Sequence, residues 1–202
     1  MGRAERKFKI VGCLLVAGLA ALALPRPARA QTTVEAFVAQ VSDGLKAIPA
    51  QSDGDQAKAI TGCREFLTRL LDMQEMSQAA SGDAWPRMSA TQRTDYQAAF
   101  TQHLAADCAQ ELAGYKGEAI TLMGVRTTPA GDKLATLRLG TPANARMIAW
   151  RLRGRDPAYT AVDVIFEGHS AVVEAHDQFT VILHATHGDV EAVIKAVKAL
   201  VK

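Results

Sequence analysis

Apolar residues recur at helical spacing through the first half of the chain and alternate with polar ones through much of the second. Val34, Phe37, Val38, Val41, Leu45 and Ile48 fall on one face of a helix. Thr32-Thr33-Val34-Glu35 reads as its capping box, and Pro49 is expected to end it. Ser52-Asp53-Gly54-Asp55 is a turn that can cap the next helix, whose apolar face carries Ile60, Cys63, Leu67, Leu70 and Leu71. A short polar helix is expected from about Met73 to Ala80, stopping near Gly82. Ser89 and Gln92 form a second capping box ahead of the stripe Tyr96, Phe100, Leu104, Cys108 and Leu112, which closes before Gly114.

The period then changes. Residues 118–126 and 133–139 are short β-type runs separated by the turn Pro129-Ala130-Gly131-Asp132. Residues 144–153 alternate, with Arg146, Ile148, Trp150 and Leu152 on one side. Gly154-Arg155-Asp156-Pro157 makes the next turn, and residues 159–166 a fourth strand. Strands this close together require an antiparallel meander, not βαβ units. After Gly168 helical spacing returns through Ala171, Val172, Ala175, Phe179 and Ile182. Gly188 breaks it before a last amphipathic helix with Val190, Val193, Ile194, Val197 and Leu200. The predicted class is α+β: helices, a four-stranded antiparallel sheet, then helices.

The extreme N-terminus follows neither pattern. Arg3, Arg6, Lys7 and Lys9 precede an apolar run from Ile10 to Leu24, and Ala28-Arg29-Ala30 closes the segment. This is the layout of a secretory signal peptide, with cleavage expected after Ala30. The run is shorter than the roughly 20 residues of a membrane-spanning helix. Ile10-Val11-Gly12-Cys13 resembles a lipoprotein box, but apolar residues continue well past Cys13, where such a box would end them. The division expected is residues 1–30 as leader and 31–202 as one domain, with 31–115 mainly helical and 116–202 holding the sheet and C-terminal helices.

The leader alters the charge. The full chain has 23 Lys+Arg and 21 Asp+Glu, a net +2. Six of those basic residues and one acidic residue lie in 1–30, so the remainder carries 17 against 20, a net −3. Neither value suggests nucleic-acid binding. A hydrophobic fraction of 49% excludes a disordered chain. Two cysteines, Cys63 and Cys108, lie beyond the leader. In an oxidising compartment they could pair, or they could be two buried thiols.

Few constellations suggest chemistry. Gly168-His169-Ser170-Ala171-Val172 sits between a strand and a helix, as a nucleophile elbow does. Asp177 or Asp189, with His184 or His187, could complete a hydrolase triad. However, Val172 replaces the closing glycine, and an antiparallel meander is the wrong sheet. Ser170 also suits a helix N-cap. His184 and His187, with His176 two turns earlier, lack the spacing of an established metal motif, and no metal or other cofactor is expected. Arg146, Arg151, Arg153 and Arg155 could contact a phosphate or an acidic partner, or could simply guard a strand edge. Ile148, Trp150, Leu152, Val162, Val164 and Phe166 make an apolar face with Val172 and Phe179 at one end. It is either core or the wall of a ligand cavity.

Tyr159-Thr160-Ala161-Val162-Asp163-Val164-Ile165-Phe166-Glu167-Gly168-His169-Ser170 resembles the signature W-x-x-x-D-v-x-x-E-G-x-S of MlaC-like periplasmic phospholipid-binding proteins, the toluene-tolerance family. Gln178-Phe179 with the last two helices, and Trp85, Ser89, Gln92 and Phe100 upstream, extend the resemblance over most of residues 31–202. It departs from the pattern at Tyr159, His169, His176-Asp177 and Cys108. The resemblance implies a non-catalytic, monomeric periplasmic carrier. Such a carrier would hold phospholipid acyl chains between sheet and helices and shuttle lipid between outer- and inner-membrane complexes of an ABC transport system. A hopanoid-associated branch of the family is the alternative. The implied lipid contacts are Val125, Ile148, Trp150, Leu152, Val162, Val164, Phe166, Val172 and Phe179.

Overall fold

The computed structural model describes residues 33–155 and 158–201. The leader with its cleavage site, Cys13, Thr32 and the Asp156-Pro157 half of one turn lie outside them. The elements are α1 (Val34–Ser52), α2 (Gln56–Leu70), α3 (Met73–Ser81), a 3-10 turn (Gly82–Arg87), α4 (Ala90–Leu112), β1 (Ile120–Thr127), β2 (Lys133–Leu139), β3 (Arg146–Arg155), β4 (Ala158–Phe166), β5 (His169–Ser170), α5 (Ala171–Ala185) and α6 (Val190–Leu200). The class is α+β, with helices flanking an antiparallel sheet in the order β1-β2-β3-β4-β5.

The sheet has five strands, not four. Glu167 and Gly168 both take positive φ, 49° and 90°, and turn the chain back on itself. His169 and Ser170 then pair with Phe166 and Ile165 before α5 begins. A two-residue strand is too short for alternation to reveal. Nor does Pro49 end α1. It lies inside the helix, three residues from the end, where its missing N–H costs one bond. Its own carbonyl receives the amide of Asp53 (3.3 Å) and the hydroxyl of Ser52 (3.2 Å). The cap of α1 is Thr33, whose hydroxyl accepts from the amide of Ala36; Thr32, the first residue of the expected box, lies outside the described residues. The Ser89–Gln92 box does form, with both reciprocal bonds.

The helix-facing side of the sheet buries Ala135, Leu137, Leu139, Ile148, Trp150 and Leu152. Trp150 meets Phe37 of α1 and Phe66 of α2, both edge to face. Phe66 comes this close because Gly44 of α1 has no side chain, and any Cβ there would overlap its ring. The end of α2 is tied to β4 by the amide of Asp72, which donates to the carbonyl of Ala161 (2.8 Å). α4 packs along α2 and α6, and α3 against α5. A disulfide joins Cys63 of α2 to Cys108 of α4, with Cα atoms 6.0 Å apart.

Candidate functional site: a cavity between sheet and helices

Between α2, α4, α5 and strands β3 and β4 lies a cavity of about 540 Å³. Its sequence origins are local. α4 turns Phe100, Leu104, Cys108 and Leu112 toward it, the same stripe that the helical period picks out. α5 contributes Ala171 and Ala175, one turn apart and too small to reach across. α1 and α2 add Leu45, Phe66 and Leu67, and the sheet adds Leu139, Ile148, Trp150, Val164 and Phe166.

Polar groups gather at the solvent side. From α4 come His103, Asp107 and Glu111; from the sheet and its following turn come Arg146, Glu167 and His169; from α5 come Glu174 and Gln178. Arg146 bridges the two layers, donating to the carbonyl of Glu111 (2.8 Å) and approaching its carboxylate (3.4 Å). A cation on the carbonyl end of α4 also complements the helix dipole. His103 pairs with Asp107 (3.6 Å) and His169 with Glu174 (2.9 Å). The carboxyl of Asp107 is held above the usual aspartate range, chiefly by burial. His103 opposes that shift, and the negative charge of Glu174 across the mouth adds to it.

The predicted site residues separate. Ile148, Trp150, Val164 and Phe166 line the cavity. Leu152, Val172 and Phe179 are buried in the core away from it, Phe179 edge to face with Tyr96. Val162 is displaced by a bulge. Arg151 pairs with Asp163 and Leu152 with Ala161, so Val162 is the extra residue and Ala161 takes the helix-facing position. Val125 pairs with buried Ala135, but β1 is an edge strand and Val125 remains 43% exposed. Of the polar mouth, Arg146 and His169 stand out in the sequence but the acidic α4 face does not. Its signal lay in His103, Asp107 and Glu111, which flank the α4 stripe at the same four-residue spacing.

The other candidates resolve differently. Ser170 donates its hydroxyl to Asp163 (2.6 Å) and accepts the amide of Val173 (3.1 Å), so it caps α5. No histidine base joins it: His184 is on the last turn of α5, about 20 Å along the axis. His169 pairs with Glu174, and His176 contacts the carbonyl of Ala80 (3.1 Å). Among the described residues no group of three or more metal-ligand side chains converges. The arginines are largely matched by acids. Arg151 lies between Asp163 (3.7 Å) and Asp132 (3.9 Å), and Arg153 pairs with Asp132 (3.1 Å) and Glu75.

The rest of the signature is equally architectural. Asp163, 3% exposed, accepts the amide of Val172 as well as the Ser170 hydroxyl. Burial lifts its carboxyl above the usual range despite those bonds. Glu167 accepts the amide of Met147, closing the end of the β3–β4 ladder.

Comparison with known proteins decides the family. The sequence profile of the MlaC protein family matches residues 35–199. The chain belongs to the MlaC family. Its fold is also that of a solved structure, a phospholipid-binding protein from Ralstonia solanacearum in complex with a phospholipid. The two superpose with a TM-score of 0.70 at 18% identity, over 85% of this chain and 96% of that one. None of the curated proteins compared matches the chain. Membership in the MlaC family places it among periplasmic lipid-binding proteins, as the signature around Asp163 and Ser170 implied.

Proposed function

We propose that this MlaC-family chain is a periplasmic carrier that takes the acyl part of a phospholipid into the cavity and moves it between membrane-bound transport complexes. The observation that carries this reading is the sorting of the cavity wall. Its inner part is Leu45, Phe66, Ile148, Trp150, Val164 and Phe166, while the charged groups stay at the mouth. A cavity of this size is within the range that holds small ligands. Each CH₂ of an acyl chain gains about 0.8 kcal/mol on leaving water, so a dry wall is enough for binding and no reacting group is needed.

In this reading Ile148, Trp150, Val164 and Phe166 contact the chain. Leu152, Val162, Val172 and Phe179 support the wall from behind. The headgroup stays at the solvent-side mouth, where Arg146 is the cation available to its phosphate. The leader directs export and is removed after Ala30. The phospholipid named with the Ralstonia solanacearum protein is consistent with this ligand class.

The test is to isolate the exported protein, extract it with organic solvent and identify the extract by mass spectrometry. Phospholipid in near-stoichiometric amount is expected. A lipid-free protein that also takes up no phospholipid from vesicles would overturn the reading.

A further inference from the structure

We propose that the β1 edge of the sheet docks on an anionic bilayer surface, with Leu122, Met123 and Val125 entering the headgroup layer and Arg126 and Arg138 taking lipid phosphates. This surface is separate from the cavity wall and does not depend on the carrier reading.

Charge is segregated along the chain. Residues 119–155, which hold β1 to β3, contain seven basic residues and one acid, Asp132. The rest of 31–202 holds ten basic and nineteen acidic residues. Arg146, Arg151 and Arg153 take up the acids in reach, Glu111, Asp163, Asp132 and Glu75. Arg126 and Arg138 have no acidic partner among the described residues, and Nε of Arg138 is buried without an acceptor. Arg126 pairs with Leu134 and Arg138 with Thr121, out of phase with buried Ala135, Leu137 and Leu139. Both cations therefore sit on the side of the sheet away from the helices.

Beside them lie exposed apolar side chains. Leu122 (41%), Met123 (51%) and Val125 (43%) are three of the six large apolar residues exposed among the described residues. No described strand pairs with the outer edge of β1. A bulge interrupts that edge: Met123 is the extra residue and has no partner in β2. An added strand, from a second copy or another protein, would need an unbroken row of amides and carbonyls. A bilayer needs no register. Its phosphates move to the cations, and its acyl boundary takes apolar side chains. Docking by β1 also brings one end of the cavity to the membrane. Leu139 follows Arg138 and pairs with Arg146, and both line the cavity, whereas Glu167, His169 and Glu174 lie toward the other edge of the sheet.

The experiment is co-sedimentation of the exported protein with vesicles of phosphatidylcholine alone or mixed with phosphatidylglycerol. Binding to the mixed vesicles only, released by added salt, is expected. Arg126→Gln and Arg138→Gln should each weaken it about fivefold, the worth of one cation at an anionic surface. Ala175→Trp, with its cavity filled, should bind as wild type does, which separates docking from lipid uptake. A reporter variant keeps every charge: the emission of Met123→Trp should shift to the blue on mixed vesicles, and that of Val181→Trp, on the exposed side of α5, should not. No binding to mixed vesicles, equal binding to both kinds, or no blue shift from position 123 overturns the assignment. Loss of binding in Ala175→Trp places the contact at the cavity and overturns it too. Binding only to vesicles that carry a membrane protein assigns the edge to that protein instead.

Discussion

Ser170 donates its hydroxyl to the carboxylate of Asp163 across 2.6 Å, and together these two residues fix where α5 begins. The other oxygen of Asp163 takes the amide of Val172, and the hydroxyl of Ser170 takes that of Val173. These bonds satisfy amides of the first turn that a helix cannot pair for itself. They also set the position of Ala171 and Ala175 in the cavity wall. Asp163 and Ser170 thus build the site without being part of its lining.

Removing Asp163 should therefore be costly. Asp163→Ala leaves buried donors on Val172 and Ser170 unpaired, and a loss of about 2–4 kcal/mol is expected in urea unfolding. Asp163→Asn retains an acceptor and should lose less. The sign of the pH dependence follows from burial. With its carboxyl lifted in the fold, Asp163 binds its proton more tightly folded than unfolded. Its contribution is present below the ordinary aspartate pKa of about 4 and is lost as pH rises through the lifted value. Asp163→Asn should remove that part of the stability–pH slope.

Gly44→Ala should destabilise the protein although alanine is the better helix former. The new methyl would overlap the Phe66 ring, and Phe66 holds Trp150 and lines the cavity. Overpacking of this kind costs about 1–3 kcal/mol. Thermal unfolding should show a lowered Tm. Gly62→Ala, whose methyl would make ordinary contact with Ile48, serves as the control and should not.

The Cys63–Cys108 disulfide spans 45 residues of sequence and joins two helices that wall the cavity. The chain-entropy model assigns such a link about 4 kcal/mol. For a domain of this size that corresponds to roughly 10 °C in Tm. Reduction, or Cys108→Ser, should lower the midpoint by an amount of that order. Added reductant should leave the variant unchanged.

Filling the cavity should abolish lipid uptake while leaving the fold intact. Ala175 is half-buried on α5 and faces the cavity. Ala175→Trp is expected to keep a native circular-dichroism spectrum and to yield no lipid on extraction. Val125→Trp, on the exposed edge strand, should retain its lipid.

Much of this was legible in the sequence because it rests on periodicity. The α4 stripe, the alternation of β3 and the capping box at Ser89 each appear where the spacing puts them. What escaped depends on contacts between distant residues. The bulge at Val162 comes from the way β4 meets β3, and it moves one predicted face residue out of the face. β5 is fixed by a positive-φ turn and pairs only two residues. The 3-10 turn at Gly82–Arg87 has no strong period of its own. Pro49 reads as a stop, but Asp53, in a left-handed conformation, ends the helix. Of the predicted wall, Ile148, Trp150, Val164 and Phe166 reach the cavity. The other apolar candidates do not, because alternation gives the face of a strand but not how far the helices stand from it.

In the proposed carrier role, lipid leaves one membrane, travels in this cavity and reaches another. The direct measurement is transfer of a fluorescent phospholipid between donor and acceptor vesicles held apart by a porous barrier, with the exported protein free to cross. Transfer that rises with protein concentration and is lost with Ala175→Trp is the predicted result. Transfer no faster than without protein, or equally fast with the filled cavity, would contradict it.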